Sequence, residues 1–466
     1  AATSGGGAAV VSVGNSALYN TANSENLTYT EQAGTSTNKQ YISFWMYFTG
    51  VSTASNFIIS CDDGSNNNRF QIYFGSTLTV LEVKGGSVQC YLISTRQLRD
   101  IGWYHIELLL DTTQSVASNR NILKVNNVRL TEFSTETNFT LNDTFGTLGS
   151  AGKTFHWGRS GAGTGYLGAY LAESVRIDGD PAGISTGEYD TTGLYWTPKS
   201  STAIKELTFG NNGFYLDNTT NAQTDASGEG NNFTNNNTVV TSTNTPTRLW
   251  PLFNPLGSGA GGTFSNGRTK VTYAPTGTNY STFGFPGTGK FVAQCTVEDM
   301  ASNGIGWVCL NAEGGVQSSQ FVLNQARWVG LTGGNWIGVE YVDYSFNVLG
   351  VIKTSAADDD VIQLEWDNGT MSFQINGTRY TPSDFTAPDT SKTWAFMSRC
   401  AGVGIELWDF GQGGFTPVDT SYSYLNTEIL EADTTRTASD TNKYFQTTLY
   451  EGNGAGQRVG AFQPFD

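Results

Sequence analysis

The sequence predicts an all-β protein: two antiparallel β-sandwich domains in tandem, followed by a C-terminal extension. Three observations predict it. Charged residues are 14% of the chain, against ~25% in ordinary soluble domains, so Asn, Ser, Thr and Gly must carry the surface. That mixture, with 13% aromatic residues, suits strands better than helices, and no long segment shows helical periodicity. Third, apolar and polar residues alternate in runs closed by tight-turn signals. The clearest run is DDDVIQLEWDNGTMSFQINGTRY, residues 358–380. Ile362, Leu364 and Trp366 share one face before the first Asn-Gly, and Met371, Phe373 and Ile375 share one face after it. Period two with one apolar face is a half-buried hairpin. Asn-Gly accepts the positive φ of a type I′ turn. A lone hairpin is marginal in water, so a sheet must cover it.

The elements follow in chain order. YISFWMYF (residues 41–48) is a dense apolar strand. WYHIELLLD (residues 103–111) places Tyr104, Ile106, Leu108 and Leu110 on one face, and ILKVNNVRL turns at Asn126-Asn127. These belong to a first sandwich over residues 1–182. Residues 183–250 are rich in Asn, Thr and Gly with scattered apolar residues, the composition of a surface connector. Alternation resumes after Pro251 and gives a second sandwich over residues 251–425. Residues 426–466 form a C-terminal arm.

Composition narrows the function. The 25 basic and 41 acidic residues give a formal charge of −16, which repels phosphate backbones, so nucleic acid is excluded as a partner. No apolar run approaches the ~20 residues of a membrane-spanning helix. The start, AATSGGGAAVV, has neither Met nor a charged leader region and reads as processed or incomplete. Five cysteines without a CxxC, and two histidines, argue against zinc. If FVAQCTVEDMASNGIGWVCLN is a hairpin centred near Ser302, Cys295 and Cys309 lie opposite each other. Separate thiols are the expectation, because nothing else resembles a disulfide scaffold.

Several of these stretches resemble known modules. WYHIELLLDTTQSVASNRNILKVNNVRL, with YLGAYLAESVRIDGDPAGISTGEYDTTGLYWTPK and GFYLDNTTNAQTDASGEGNNFT after it, resembles the laminin-G-like, concanavalin A-like sandwiches of marine bacteriophage tail and fibre proteins. GKFVAQCTVED, DDDVIQLEWDNGTMSFQING and LWDFGQGGF resemble a SPRY (B30.2-type) sandwich. The likeness covers roughly residues 11–425. It implies jelly-roll sandwiches in a virion structural protein, located at the particle surface. Its partners would be further copies, other virion proteins and a host-surface glycan, with no membrane insertion. Such motifs specify fold, not chemistry.

Catalytic patterns are weak. Glycan hydrolysis needs two carboxylates about 5–10 Å apart, and Glu365-Trp366-Asp367 and Glu406-Leu407-Trp408-Asp409 lack the third acid of an E-x-D-x-E strand. Glu365 leaves the apolar face of its hairpin and reads as solvated. His105 and His156 read as strand residues beside aromatics, and no GxSxG surrounds a serine. Asp62-Asp63-Gly64-Ser65-Asn66 and Asp358-Asp359-Asp360 offer oxygens to calcium, but acidic turns before strands are usually solvated, and no metal or cofactor is assigned. The Asn-x-Ser/Thr triplets at Asn26, Asn138, Asn218 and Asn368 read as chance in so Asn- and Thr-rich a chain. For binding, ARWVGLTGGNWIGVEYVDYSF supplies Trp328, Trp336, Tyr341 and Tyr344 as candidates to stack against sugar rings; core filling is the alternative for each.

The reading is a non-catalytic bacteriophage virion protein, a tail-fibre or surface-fibre component with glycan-contacting sandwiches. A secreted marine bacterial carbohydrate-binding protein and a divergent glucanase remain as alternatives. The arm carries Tyr444, Phe445, Leu449, Tyr450, Val459, Phe462 and Phe465, too few for a core of its own. It is expected to join a neighbouring subunit by adding a strand to a sheet edge.

Overall fold

The computed structural model describes residues 11–49, 55–75, 77–98, 102–190, 193, 195–253, 262–274, 277–282, 284–301, 303–310, 325–342, 345–380 and 385–426. The protein is all-β. Among the described residues the α-helix is Ser201–Lys205, and nearly everything else with regular structure is antiparallel strand. The chain divides into two compact units, residues 1–249 with 265–267, and residues 250–264 with 268–466.

The first unit is a sandwich of two eight-stranded sheets. One runs Val128–Arg129, Asn121–Val125, Trp103–Asp111, Lys39–Phe48, Ala169–Ile177, Ser16–Tyr19, Val240–Ser242, with Phe214–Leu216 also paired to Ala169–Ile177. The other runs Phe133–Thr137, Ser87–Gln97, Thr77–Lys84, Arg69–Phe74, Asn56–Asp62, Thr154–Trp157, Asn26–Thr30, Thr234–Asn236. Alternate residues meet between them: Phe44, Met46, Ile106 and Leu108 from one sheet, and Cys61, Phe70, Ile72, Phe155 and Trp157 from the other. The turn at Asn126-Asn127 has φ of 50° and 62°, so both residues take the left-handed conformation that a type I′ turn requires.

The connector expected at 183–250 is corrected. Its short segments complete the first sandwich: Phe214–Leu216 and Val240–Ser242 pair into one sheet, and Thr234–Asn236 into the other. Phe214, Leu216, Phe233 and Val239 are buried in the core. Their apolar content is thin because each contributes only one or two inward positions.

The second unit pairs an eight-stranded with a seven-stranded sheet. The first runs Gly262–Ser265, Lys270–Tyr273, Gly404–Asp409, Lys290–Asp299, Asp360–Asp367, Thr370–Ile375, Thr378–Tyr380, with Ser423–Tyr424 parallel to Lys290–Asp299. The second runs Gly277–Tyr280, Thr393–Cys400, Asn303–Cys309, Gln325–Thr332, Asn335–Val342, Ser345–Lys353, with Phe285–Pro286 also on Thr393–Cys400. The double Asn-Gly stretch forms as its alternation predicts. Asn368 and Asn376 have φ of 48° and 50°, and Ile362, Leu364, Trp366, Met371, Phe373 and Ile375 all lie in the core.

The hairpin imagined between Cys295 and Cys309 does not form. Lys290–Asp299 and Asn303–Cys309 belong to opposite sheets, so the chain crosses the sandwich between them. All five cysteines are buried thiols, and burial pushes Cys400 up to about 11 and Cys295 well above its ordinary range. A thiol held protonated and covered is a poor nucleophile. Alkylation of the native protein should therefore be slow at all five, and complete only after denaturation. A Cys295–Cys309 linked peptide in non-reducing mass spectrometry would overturn this.

The expected C-terminal arm, residues 426–466, lies outside the described residues except for Asn426.

Candidate functional site

The outward face of the second sheet of the first unit holds a cleft of about 690 Å³. It forms because alternate residues of adjacent strands are polar. In Asn26–Thr30, Leu27 and Tyr29 enter the core while Asn26 and Thr28 line the cleft. In Thr154–Trp157, Phe155 and Trp157 go inward while Thr154 and His156 line it. Register then aligns the polar residues: His156 lies opposite Thr28 on one side and Ser60 on the other, Thr154 opposite Asp62, and Asn236 opposite Asn26. The loop after Trp157 supplies Arg159, Gly161 and Tyr166. Gly161 must be glycine for that loop to close down, since a Cβ there would sit 1.7 Å from Asp62 Oδ2.

Partners define the charge states. Burial depresses the His156 pKa to about 4; Asp62 pulls it back up and Arg159 pushes it further down. The ring is neutral at pH 7. Arg159 Nε–H donates to His156 Nδ1 at 3.3 Å, which places the ring proton on Nε2 by partner assignment, 3.6 Å from Asp62 Oδ2. Ser60 Oγ–H donates to Asp62 Oδ2 at 3.1 Å, and Gly64 N–H to Oδ1 at 2.9 Å. The serine thus bonds the aspartate and not the histidine, so Ser60, His156 and Asp62 are not arranged for nucleophilic attack. Asp63 accepts from Ser65, Asn68 and Lys153, and these bonds, the Ser65 hydroxyl first, hold its carboxyl below the usual range. Among the described residues no cluster of three or more His, Cys, Asp or Glu is placed to hold a metal. What the cleft offers is a floor of short donors and acceptors, one guanidinium, and the half-buried Tyr166 ring at its wall.

The aromatic candidates lie elsewhere, in the second unit, and their expected stacking role needs correction. Trp336 is fully buried between the sheets, and its Nε1–H donates to Asp360 at 2.7 Å. Trp328 is on the outward face of its sheet but covered, 2% exposed. Its ring lies along Gly304, where a Cβ would come within 2.8 Å of it, and the Arg399 guanidinium sits 5.7 Å from its centroid. Tyr341 is half-buried against the same outward cluster. Tyr344 lies outside the described residues.

The carboxylates singled out by sequence are also covered. Glu365 leaves the apolar face as expected but is buried, not solvated. It accepts from Gln374, and its Oε2 lies 2.9 Å from Arg379. Glu406 is inside the sandwich, receiving Asn303 Nδ2 at 2.9 Å, Ser398 Oγ at 2.6 Å and Trp408 Nε1 at 2.9 Å. Burial raises its pKa to about 7. Both carboxylates are covered from solvent, each residue being 0% exposed. The cleft itself escaped the sequence reading as a set. Its available signal was the alternation of polar residues in NLTYT, NFIISCD and TFHW.

No family model matches this sequence, and no curated protein matches it. Solved structures do. Mouse laminin alpha1 chain domains LG4-5 align over 91% of this chain and 94% of theirs, at 9% identity and a TM-score of 0.31. The SPRY domain of human HERC1 aligns over 34% of this chain and 96% of its own, at 12% identity and 0.26. A heptameric SAP-like pentraxin from Limulus polyphemus aligns over 51% and 99%, at 12% and 0.32. These are similarities only, with no site residue carried across.

Proposed function

We propose that this protein is a non-catalytic, glycan-contacting component of a bacteriophage virion, a tail-fibre or surface-fibre subunit that assembles with further copies at the particle surface. The polar cleft carries the glycan part. Hydroxyl-rich rings need many short, oriented donors and acceptors with one apolar wall, and Thr28, Asn236, Asn237 and Arg159 beside Tyr166 supply that set, with buried Asn26 holding the Asn236 amide from below. The buried placement of Glu365 and Glu406 supports the absence of hydrolysis. The virion part rests on the sequence resemblance.

A glycan array followed by calorimetry tests the cleft. Tyr166→Ala should weaken binding of the captured glycan at least tenfold, and Asn236→Ala several-fold, both with unchanged thermal unfolding. Equal affinity in Tyr166→Ala would remove the cleft from the reading. No reducing sugar should be released from marine polysaccharides; turnover that Glu406→Gln abolishes would make the protein a glucanase.

A further inference from the structure

The seven-stranded sheet of the second unit ends on Ser345–Lys353, nine residues long. Among the described residues the other strands that terminate sheets are short: Val128–Arg129, Val240–Ser242, Thr234–Asn236, Gly187–Tyr189, Trp196–Pro198, Thr378–Tyr380, Gly262–Ser265, Gly277–Tyr280 and Phe133–Thr137, of two to five residues. Proteins normally guard a long edge with charge or proline. SFNVLGVIK has neither before its last residue, Lys353; its pairing with Asn335–Val342 is interrupted by register shifts at Leu349 and Ile352. Val348 and Val351 are each 59% exposed. They stand opposite Val339 and Ile337 on the neighbouring strand, so the edge continues an outward apolar face that includes Trp328, Val308 and Met397. A long, uncharged, apolar edge is a site for strand addition.

We propose that Ser345–Lys353 accepts residues 443–450 of a second copy as an added strand. This rests on the assembly part of the reading above and names the surface that performs it. Forty residues follow Asn426. Within them KYFQTTLY carries no charge after Lys443 and is rich in aromatic and β-branched residues. Its eight residues match the nine of the edge, and alternation puts Phe445 and Leu449 on one face, where Val348 and Val351 offer apolar cover. In a chain of charge −16, an uncharged segment meeting an uncharged edge is where two copies can approach without repulsion. The last described strand, Ser423–Tyr424, lies in the opposite sheet, so the same chain would have to wrap its own sandwich to reach this edge. The 16 residues 427–442 have a contour length of up to ~55 Å, enough to carry the segment beyond its own chain.

The test uses the full chain and two double variants, Val348→Lys/Val351→Lys and Phe445→Asp/Leu449→Asp, with Val88→Lys as a control at another exposed strand valine. Light scattering and native mass spectrometry read assembly, and hydrogen exchange reads the amides of 345–353. The wild type and the control should be multimeric. Each double variant should dissociate at a protein concentration at least tenfold higher than the wild type, with edge amides exchanging at least tenfold faster and unchanged thermal unfolding. Multimers with unchanged edge exchange in both double variants would sink the edge assignment while leaving assembly intact. A monomeric wild type whose edge amides are protected, and lose that protection in Phe445→Asp/Leu449→Asp, would overturn the second copy in favour of the same chain. A monomeric wild type with fast-exchanging edge amides would overturn the assembly reading together with this one.

Discussion

Arg176→Met should destabilise the first sandwich by roughly 3–5 kcal/mol, the usual cost of stranding one partner of a buried ion pair. Arg176 and Glu31 are both 0% exposed at their side chains. Arg176 comes from Ala169–Ile177 in one sheet, and Glu31 follows Asn26–Thr30 in the other, so the pair ties the sheets together. The guanidinium donates to both Glu31 oxygens and, through Nε, to Gln40 at 3.0 Å. Glu31 also accepts from Gly149 N at 3.0 Å. Burial pushes the Glu31 pKa up even with Arg176 beside it, so desolvation outweighs the attraction for that group. With the guanidinium gone, the carboxylate keeps mainly the Gly149 amide. Calorimetry should show one transition lowered by on the order of 10 °C, with the transition of the second unit unmoved. Adding Glu31→Gln to Arg176→Met should recover much of the loss, because the stranded charge is then absent. A single variant within ~1 kcal/mol of the wild type would mean that the pair is not buried as described.

What the sequence made legible follows from how far apart the interacting residues are. The hairpin over 358–380 was readable because its turn residues and its alternation lie within one short window. The segments 214–216, 234–236 and 240–242 were not. Their strand character comes from partners near residues 17, 28 and 175, and three residues of alternation cannot announce that. Cys295 and Cys309 show a related limit. Alternation says that Lys290–Asp299 and Asn303–Cys309 are strands, but not that the chain crosses to the other sheet between them. Trp328 and Trp336 lie eight residues apart in adjacent strands and point to opposite faces, which only the register decides. The cleft was the least legible feature. It gathers residues near 26, 62, 156 and 236, and each of them alone reads as an ordinary polar strand residue.

Glu82→Gln should remove a pH-dependent weakness from the same sandwich. Glu82 sits on the core side of Thr77–Lys84 with Leu78 and Val80, and is 0% exposed. Gly146 N–H donates to its Oε1 at 2.6 Å, while Oε2 has no partner. Burial raises its pKa to about 8, so the group is protonated in the folded protein at pH 7 and ionised in the unfolded chain. Between about 4.5 and 8 the folded state therefore holds the extra proton. The stability this group contributes is full below about 4.5 and is lost as pH rises to about 8. Glu173, raised to about 8 by burial, acts in the same direction. His105 and His156 act oppositely. Their folded values fall to about 3 and about 4, so stability drops as pH falls below about 6.5, where only the unfolded chain takes up protons. The first sandwich should accordingly be most stable between about pH 4.5 and 6.5, where the two opposite trends offset each other. At pH 9 Glu82→Gln should exceed the wild type by a few kcal/mol, at ~1.4 kcal/mol per pH unit of displaced titration. At pH 4.5 the two should nearly coincide. Urea titrations across this range measure the difference directly, and parallel curves for the two proteins would show that Glu82 does not titrate inside the folded core.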